Sequence, residues 1–235
     1  MTLKMTKIVL ASNNKKKIAE LRELFSEGIL ADAEILSLAD IGYTDEIEEN
    51  GKSFEENSLI KATAAASLGY IGIADDSGLA VDALDGAPGI YSARYSADVE
   101  CSDRDRANRE KLLRELDGVK TEDRNAAFVC VMSAVLPASC DLTVPAELRA
   151  DAKVAAAVGL SPEKCMTVRG ECRGYITESE SGEGGFGYDS LFYSPELLKT
   201  FAEASSDEKG AVSHRGRALR EFSELLCRVI AQEKN

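Results

Sequence analysis

A short apolar run followed at once by a helical pattern opens the chain and constrains its fold more than any other feature. The run KIVLAS, residues 7–12, is typical of a buried strand. A polar turn follows it, and the next apolar side chains share one helical face: Ile18, Leu21, Leu24 and Phe25. A strand, a turn and a helix in direct succession form the first unit of an α/β domain. The sequence therefore predicts an α/β protein.

The rest of the chain continues this mixture of helices and strands. Ser53 and Glu56 have the spacing of a capping box, which predicts the start of a second helix, and Gly69 marks its end. The periodicity predicts the remaining elements, with helices over 102–116 and 213–231 and strands over 71–75, 126–136 and 166–178. We expect the last two strands to pair antiparallel, and the Ala-rich residues 145–159 to form a short surface helix in an insertion.

The charge balance limits the partners of the chain. Its 235 residues carry 28 Lys+Arg and 41 Asp+Glu, a formal net charge of −13. This balance argues against a nucleic-acid backbone or an anionic membrane as the main partner, but a small polyanion held by a few local cations stays compatible with it. The six cysteines are far apart and form no CxxC pair, and there is one histidine, so a structural zinc site is not expected. We expect reduced, mostly buried thiols in a cytoplasmic protein.

The polar turn Ser12–Lys17, SNNKKK, is the first candidate site. A helix N-terminus offers backbone N–H groups and the positive end of the helix dipole, so anions bind there. Three lysines at a helix start are unfavourable in that dipole unless an anion meets them. The turn is therefore a candidate phosphate-binding site, and the alternative is a solvated first turn.

Two adjacent aspartates, Asp75 and Asp76, form the second candidate site, in the sequence ADDSG after an apolar strand. Their carboxylates repel each other unless a cation or a proton intervenes. Neighbouring strand residues point to opposite faces, so we expect only one of the two to face a given site. Asp76 is the functional candidate, and Asp75 is interpreted as a cap of the following turn. The acidic run 45–51 is either a source of another carboxylate for this site or solvated surface.

Two segments near the C-terminus carry the remaining candidates. Residues 181–193, SGEGGFGYDSLFY, contain GxGxxG, but the dinucleotide motif precedes a helix, whereas YDSLFY indicates a strand. A flexible Gly-rich loop with an aromatic ring for stacking is the better interpretation. His214 lies beside Arg215 at the start of the last helix, with Lys209 close before it. These side chains are candidates for substrate binding, and a helix-capping histidine is the structural alternative.

These segments together resemble the inosine triphosphate pyrophosphatase family. The family's Thr/Ser-x-Asn-x-x-Lys turn is similar to residues 12–17, and its E-x-G and [ST]-F-x-E-N motifs are similar to residues 49–57. Residues 73–96, IADDSGLAVDALDGAPGIYSARYS, match the longest family motif almost throughout. GGFGYD at 184–189 and SHR at 213–215 complete the set in the family's order, over nearly the whole chain.

The resemblance implies magnesium-dependent hydrolysis of inosine, deoxyinosine or xanthosine triphosphates (ITP, dITP, XTP) to the monophosphate and pyrophosphate, which cleanses the nucleotide pool. It implies an elongated mixed β-sheet flanked by helices, with a cleft between two lobes, and a homodimer. The chain is then a single α/β domain, residues 1–235, with an insertion around 137–164. Its partner is a nucleotide, with no nucleic acid and no membrane.

The resemblance also implies a role for each matching residue. Asp76 and Lys17 are the catalytic residues, with Asp76 orienting or deprotonating the attacking water, and Glu49 and Asp76 hold Mg²⁺. Phe186 stacks on the base. The substrate-binding residues are Ser12, Asn13, Asn14, Lys17, Ser77, Phe186, Gly187, Tyr188, Asp189, Lys209, His214 and Arg215.

Two other functions stay open at this point. A nucleotide-binding or sensing module without turnover would use the same phosphate turn and base pocket, with incidental carboxylates. A pyrophosphatase for another altered nucleotide, such as a modified pyrimidine, would share the motifs as well. The sequence does not determine the preferred base.

Overall fold

The computed structural model describes residues 7–12, 14–26, 30–31 and 33–231. Its strands are β1 Lys7–Leu10, β2 Glu34–Ser37, β3 Ile71–Val81, β4 Asn125–Val135, β5 Cys165–Ile176, β6 Phe192–Ser194 and β7 Lys199–Thr200. Its helices are α1 Lys15–Leu24, α2 Phe54–Ala66, α3 Arg104–Glu115, α4 Ala152–Ala157, α5 Ser206–Val212 and α6 His214–Ile230. The chain divides into two compact units: the described parts of 1–76, 131–168 and 219–235 form unit 1, and 77–130 and 169–218 form unit 2.

Seven strands in the described residues form one mixed sheet, in the order β2-β1-β3-β4-β5-β6-β7. β1 pairs parallel with β2 and with β3, so that Ile8 lies opposite both Ile35 and Ile71. β6 pairs antiparallel with β5 and with β7. The predicted fold class, a mixed sheet flanked by helices, is confirmed. The elongation of the sheet and the cleft between two lobes stay predictions.

The hydrogen bonds at the two ends of β4 and β5 give the direction of that pair. The N–H of Leu136 donates to the carbonyl of Lys164 at 2.8 Å, and the N–H of Ile176 donates to the carbonyl of Arg124 at 3.0 Å. The end of one strand therefore meets the start of the other, and the expected antiparallel pairing is confirmed.

A close approach between α2 and β3 organises unit 1. A Cβ at Gly72 would lie 1.9 Å from the carbonyl oxygen of Ala62, so only glycine lets the helix backbone come this near. Ala62, Ala65 and Ala66 of α2 join the buried cluster with Val9 of β1. Small side chains thus allow α2 to lie directly on the strand that carries Asp75 and Asp76.

Aromatic rings organise unit 2. Phe128, Phe192 and Phe201 are buried together, with ring centroids 4.7 to 5.7 Å apart. At Gly170 of β5 a Cβ would lie 2.2 Å from the carbonyl oxygen of His214, so the first turn of α6 rests directly on this strand. The packing fixes the position of the SHR motif.

Several local expectations differ from the structure. The strand predicted over 71–75 extends to Val81, and Leu79 and Val81 in this extension are fully buried. The strand expected for YDSLFY begins only at Phe192, after a turn. The short helix predicted over 145–159 is α4, but it is not purely on the surface, since Ala155 is fully buried in the unit 1 core. α5 was not expected, although Ser205 and Glu208 form its capping box.

The insertion is tied to the start of β5. The N–H of Val144 donates to the carbonyl of Glu163, and that of Ala150 donates to Cys165. Among the described residues, no helix is long and apolar enough to cross a membrane.

Candidate functional site

The turn between β1 and α1 is shaped by its own polar side chains. The N–H of Asn14 donates to Oγ of Ser12 at 3.1 Å, and Asn14 Oδ1 lies 3.4 Å from the N–H of Lys17. The first turn of α1 contains no acidic residue, so the positive end of the helix is not neutralised by its own sequence. Asn13 lies outside the described residues.

Lys17 is held by the first of the two aspartates. Its Nζ donates to Oδ2 of Asp75 at 2.6 Å, and the side chain of Asp75 is 3% exposed while that of Lys17 is 32% exposed. The interpretation of Asp75 as a turn cap is wrong, because the residue lies inside β3 and its carboxylate pairs with a lysine from α1. The pair leaves part of the lysine in solvent at the start of α1.

The second aspartate, Asp76, points to α2. Its Oδ1 accepts from Nζ of Lys61 at 2.9 Å, and Nδ2 of Asn57 lies 3.4 Å from its Oδ2. The two aspartates thus have lysines from different helices, as alternation along a strand predicts. Burial raises the pKa of Asp76, and the nearby lysine only partly offsets this. Burial opposes the charge of Lys61, but the neighbouring carboxylates outweigh it and its pKa is raised.

Glu49 also lies close to Lys61, and a tight contact between Gly51 and Asn57 fixes the loop that carries it. Oε2 of Glu49 lies 3.4 Å from Nζ of Lys61. The loop that carries it is fixed by Asn57, whose Oδ1 accepts from the N–H of Gly51 at 2.9 Å. A Cβ at Gly51 would lie 2.7 Å from that same oxygen, so the E-x-G…E-N motif needs glycine there. Asn57 therefore links the Glu49 loop to Asp76.

The carboxylates of Glu49 and Asp76 fit the magnesium ion that the motifs imply. Both lie within 3.4 Å of one ammonium, so one small cation can reach both. The described residues contain no cluster of three or more His, Cys, Asp or Glu side chains that could enclose a metal ion. Mg²⁺ is commonly held by only one or two carboxylates, with substrate phosphates and waters as the other ligands, so a two-carboxylate set suits it.

In unit 2, the Gly-rich segment 182–191 forms an irregular loop that presents one aromatic ring. Phe186 is 79% exposed, and Nζ of Lys209 lies 4.8 Å from its ring centroid. Asp189 is buried and binds both Phe186 and Lys209. Its Oδ2 accepts from the N–H of Phe186 at 2.9 Å and from Nζ of Lys209 at 2.5 Å. A Cβ at Gly185 would lie 2.2 Å from that oxygen, so glycine admits the carboxylate.

The other two loop residues have different surroundings. Gly187 has φ +60° and is hydrogen-bonded through both of its main-chain groups to α3. The side chain of Tyr188 is buried, and its hydroxyl donates to the carbonyl of Ser92 at 2.9 Å. The ring of Tyr188 is therefore part of the core, and its assignment to substrate binding stays a prediction.

The SHR motif lies at the start of α6, as predicted. The ring of His214 stacks on Phe128, with centroids 4.9 Å apart and planes 13° from parallel. Arg215 is half-buried beside it, and Ser213 caps the turn by accepting from the N–H of Gly216 at 3.1 Å. Ser77, also predicted to bind substrate, is exposed on β3.

Each unit therefore brings one group of predicted residues together. In unit 1, Glu49 and Asp76 meet at Lys61, while Lys17 pairs with Asp75. In unit 2, Lys209 and Asp189 lie beside Phe186. Lys61 was missed by the sequence reasoning, although it is the only basic residue in α2 and follows Asn57 by one helical turn. A lone lysine in a segment rich in alanine is the signal that could have found it.

The fold is α/β, and its described residues include a lysine at a helix start, two carboxylates that converge on the ammonium of Lys61, and an exposed aromatic ring. Such groups can bind a polyanionic small molecule. The model of the Ham1 family matches residues 8–225. A dITP/XTP pyrophosphatase of Bacillus anthracis is 42% identical over 223 residues, which cover 94% of this chain and 96% of the relative.

Solved structures agree with the sequence relatives. The Staphylococcus aureus Ham1 protein has a TM-score of 0.76 at 38% identity, covering 94% of this chain and 98% of its own. A HAM1 protein from Coxiella burnetii has a TM-score of 0.78 at 34% identity, covering 95% of this chain and 100% of its own. This chain belongs to the Ham1 family, and the resemblance inferred from its motifs is confirmed.

Proposed function

We propose that this chain hydrolyses dITP, ITP and XTP to the nucleoside monophosphate and pyrophosphate with Mg²⁺ as cofactor, and so removes non-canonical purines from the nucleotide pool. The chain is a nucleoside triphosphate pyrophosphatase, a hydrolase that acts on an acid anhydride bond, as the named relatives are. The selection of the base and the dependence on magnesium belong to the proposal.

The observation that carries the proposal is the convergence of Asp76 and Glu49 on Lys61, at 2.9 and 3.4 Å. Two half-buried or buried carboxylates share one ammonium, so their combined charge is not fully neutralised. A divalent cation with its bound phosphates is the partner that completes such a set. Mg²⁺ held by Glu49 and Asp76 would neutralise charge on the phosphates of the substrate.

The residues around these carboxylates bind the triphosphate and the water. Lys17 supplies an ammonium at the start of α1, where the helix dipole also favours an anion, and Ser12 and Asn14 shape that turn. Asp76 accepts a proton from the attacking water or orients it, since burial disfavours its charged form and raises its pKa towards that of a better base. Asn13 belongs to the same phosphate turn, and Ser77 is a further substrate-binding residue of the proposal.

The residues of unit 2 select the base. Phe186 stacks on it, while Lys209, His214 and Arg215 donate hydrogen bonds to its edge and Asp189 holds the lysine in place. Hypoxanthine and xanthine carry a 6-oxo acceptor, whereas adenine carries a 6-amino donor that would face these donors. An unpaired buried donor costs about 1–3 kcal/mol, which is one to two decades in rate ratio. Guanine keeps the 6-oxo group, so GTP is rejected through its 2-amino group.

The experiment that tests the proposal is a substrate panel with pyrophosphate release as the readout. We expect dITP, ITP and XTP to be hydrolysed far faster than ATP and GTP, with loss of activity in EDTA and recovery on adding Mg²⁺. Comparable kcat/KM values for ATP and ITP would contradict the assigned base contacts. Binding of dITP without release of pyrophosphate would instead support a nucleotide-binding module, and a preference for a modified pyrimidine would change the substrate class.

We also propose a homodimer in the cytoplasm, acting on a free nucleotide and not on nucleic acid or membranes. The net charge of −13 supports the choice of partner, since it gives no general attraction for polyanionic surfaces. Light scattering coupled to size exclusion measures the oligomeric state, and a monomeric mass would contradict the dimer.

A further inference from the structure

Two side chains of α3 grip a single peptide unit of the loop that carries Phe186. Oδ2 of Asp105 accepts from the N–H of Gly187 at 2.9 Å, and the guanidinium of Arg109 donates to the carbonyl of Gly187 at 2.9 Å. The two residues are one helical turn apart, so they lie on the same face of the helix. We call this pair the α3 clamp.

The clamp is itself fixed in place. The side chain of Arg109 is 17% exposed, and its Nε lies 2.9 Å from a carboxylate oxygen of Glu180. That same oxygen of Glu180 accepts from the hydroxyl of Ser190 at 2.7 Å. The ion pair with Glu180 already orders the guanidinium, so little further entropy is lost when it binds the carbonyl.

The main chain of the loop is bound at every group next to the exposed ring. The N–H and the carbonyl of Phe186 pair with the side chain and the N–H of Asp189, which is within the loop. Both groups of Gly187 pair with the α3 clamp. Gly187 has φ +60° and open space where a Cβ would be, so its glycine serves the backbone conformation and not a tight contact.

The alternative is that these bonds serve only the stability of unit 2. The core beneath the loop already has its own anchors, because Tyr188 is buried and bound to Ser92. The clamp acts one residue before that anchor, directly beside a ring that is 79% exposed. A charged pair placed there orders the exposed end of the loop, which the core does not hold.

We propose that Asp105 and Arg109 are positioning residues for base selection: they hold the Gly187 peptide so that the ring of Phe186 is presented in one orientation before a ligand arrives. This inference rests on the proposed role of Phe186 in binding the base. A ligand that binds only one conformation of the loop has an apparent Kd equal to its intrinsic Kd divided by the fraction of the protein in that conformation. Releasing the clamp therefore weakens the binding of the base and leaves the binding of the phosphates and the chemical step unchanged.

The test compares Arg109→Gln with Arg106→Gln. Arg106 lies on the same helix, and its side chain forms an exposed ion pair with Glu110 at 2.9 Å, so it controls for loss of one arginine from α3. We expect Arg109→Gln to raise KM for dITP about three- to tenfold, with kcat within about twofold and an unchanged inhibition constant for inorganic triphosphate. Arg106→Gln is expected to match the wild-type protein in all three quantities.

A second readout does not depend on activity. The chain contains no tryptophan, so Phe186→Trp places a single indole in the loop. Time-resolved fluorescence anisotropy then reports the mobility of that indole, and we expect faster local motion when Arg109→Gln is added and no change when Arg106→Gln is added. If Arg109→Gln does not fold, Asp105→Ala, which removes the other half of the clamp, gives the same comparison.

The outcomes separate the two proposals. Absence of pyrophosphate release from dITP in the wild-type protein would overturn the proposed function, while the anisotropy would still decide whether the clamp orders the loop. Equal KM values and equal anisotropy for the Arg109 and Arg106 variants would overturn the proposed positioning role of the clamp. A lower melting temperature for Arg109→Gln with an unchanged KM would show a purely structural role and would overturn it as well.

Discussion

Replacing Asp76 with asparagine tests the assignment of the carboxylates, and Asp75→Asn is its matched control. The two residues are adjacent in β3, both are buried, and each binds one lysine. Asp76→Asn removes a negative charge from the proposed metal site and removes the proposed base. Loss of a general base alone lowers turnover by about 10²–10⁴-fold, so we expect kcat to fall by at least that factor. Loss of a metal ligand adds to the fall.

The two variants are expected to differ in stability. Burial raises the pKa of Asp76, so the folded state favours the protonated form, and the contribution of this carboxyl to stability decreases as pH rises through its folded pKa. Above that pKa the ionised group opposes folding, and when it is replaced the ammonium of Lys61 keeps Glu49 as a partner. We therefore expect Asp76→Asn not to lower the melting temperature.

The control variant loses a charge pair instead. Asp75 is 3% exposed in its side chain and Lys17 is 32% exposed, at 2.6 Å. Removing the charge of Asp75 leaves the lysine without that counterion, which we expect to cost about 1–2 kcal/mol after allowing for solvent around the lysine. For a chain of this size that corresponds to a fall of about 2–8 °C in melting temperature.

The assay measures pyrophosphate release from dITP over a range of Mg²⁺ concentrations, together with a thermal melt of each variant without nucleotide. The assignment requires that Asp76→Asn loses most of its turnover while its melting temperature is unchanged. It also requires that the melting temperature of Asp75→Asn is lower than that of the wild type. An Asp76→Asn protein whose kcat at saturating Mg²⁺ stays within threefold of the wild type would refute the reasoning and transfer the role to another carboxylate.

Three further predictions concern the base, the core and the thiols. Phe186→Ala is expected to raise KM for dITP about tenfold or more in steady-state assays, because stacking of a base on an aromatic ring is worth about 1–3 kcal/mol; an unchanged KM would exclude the stacking role. Gly72→Ala is expected to lower the free energy of unfolding in urea by about 3 kcal/mol or more, since the new Cβ would lie 1.9 Å from a backbone oxygen of α2; a loss below about 1 kcal/mol would show that the helix shifts freely. Iodoacetamide at pH 8 is expected to modify exposed Cys101 and to spare Cys165 and Cys172 in the native protein, as mass spectrometry would show, because burial raises the pKa of both buried thiols to about 11; labelling of the buried pair at the rate of Cys101 would contradict their burial.

The sequence by itself determined the elements whose cause is local. The capping box at Ser53 predicted the start of α2, where Oγ of Ser53 accepts from the N–H of Glu56 at 3.1 Å. The apolar spacing over 213–231 predicted α6, and the ordered motifs identified the family. The capping box and the helical spacing depend on residues within a few turns of each other, and each family motif lies within one short stretch, so the sequence contains each signal completely.

The tertiary structure decided the partners of the charged groups. Lys17 and Asp75 are 58 residues apart, and Asp105 is 82 residues from Gly187. No local pattern links such residues, because packing of helices on strands brings them together only after the chain has folded. The turn cap inferred for Asp75 was wrong for this reason, and the role of Lys61 was missed, since its burial beside two carboxylates follows from the glycine contact that seats α2 on β3. The sequence thus determined which residues are charged and where the elements begin, and the close packing of α2 and α3 against their neighbours determined what those charges bind.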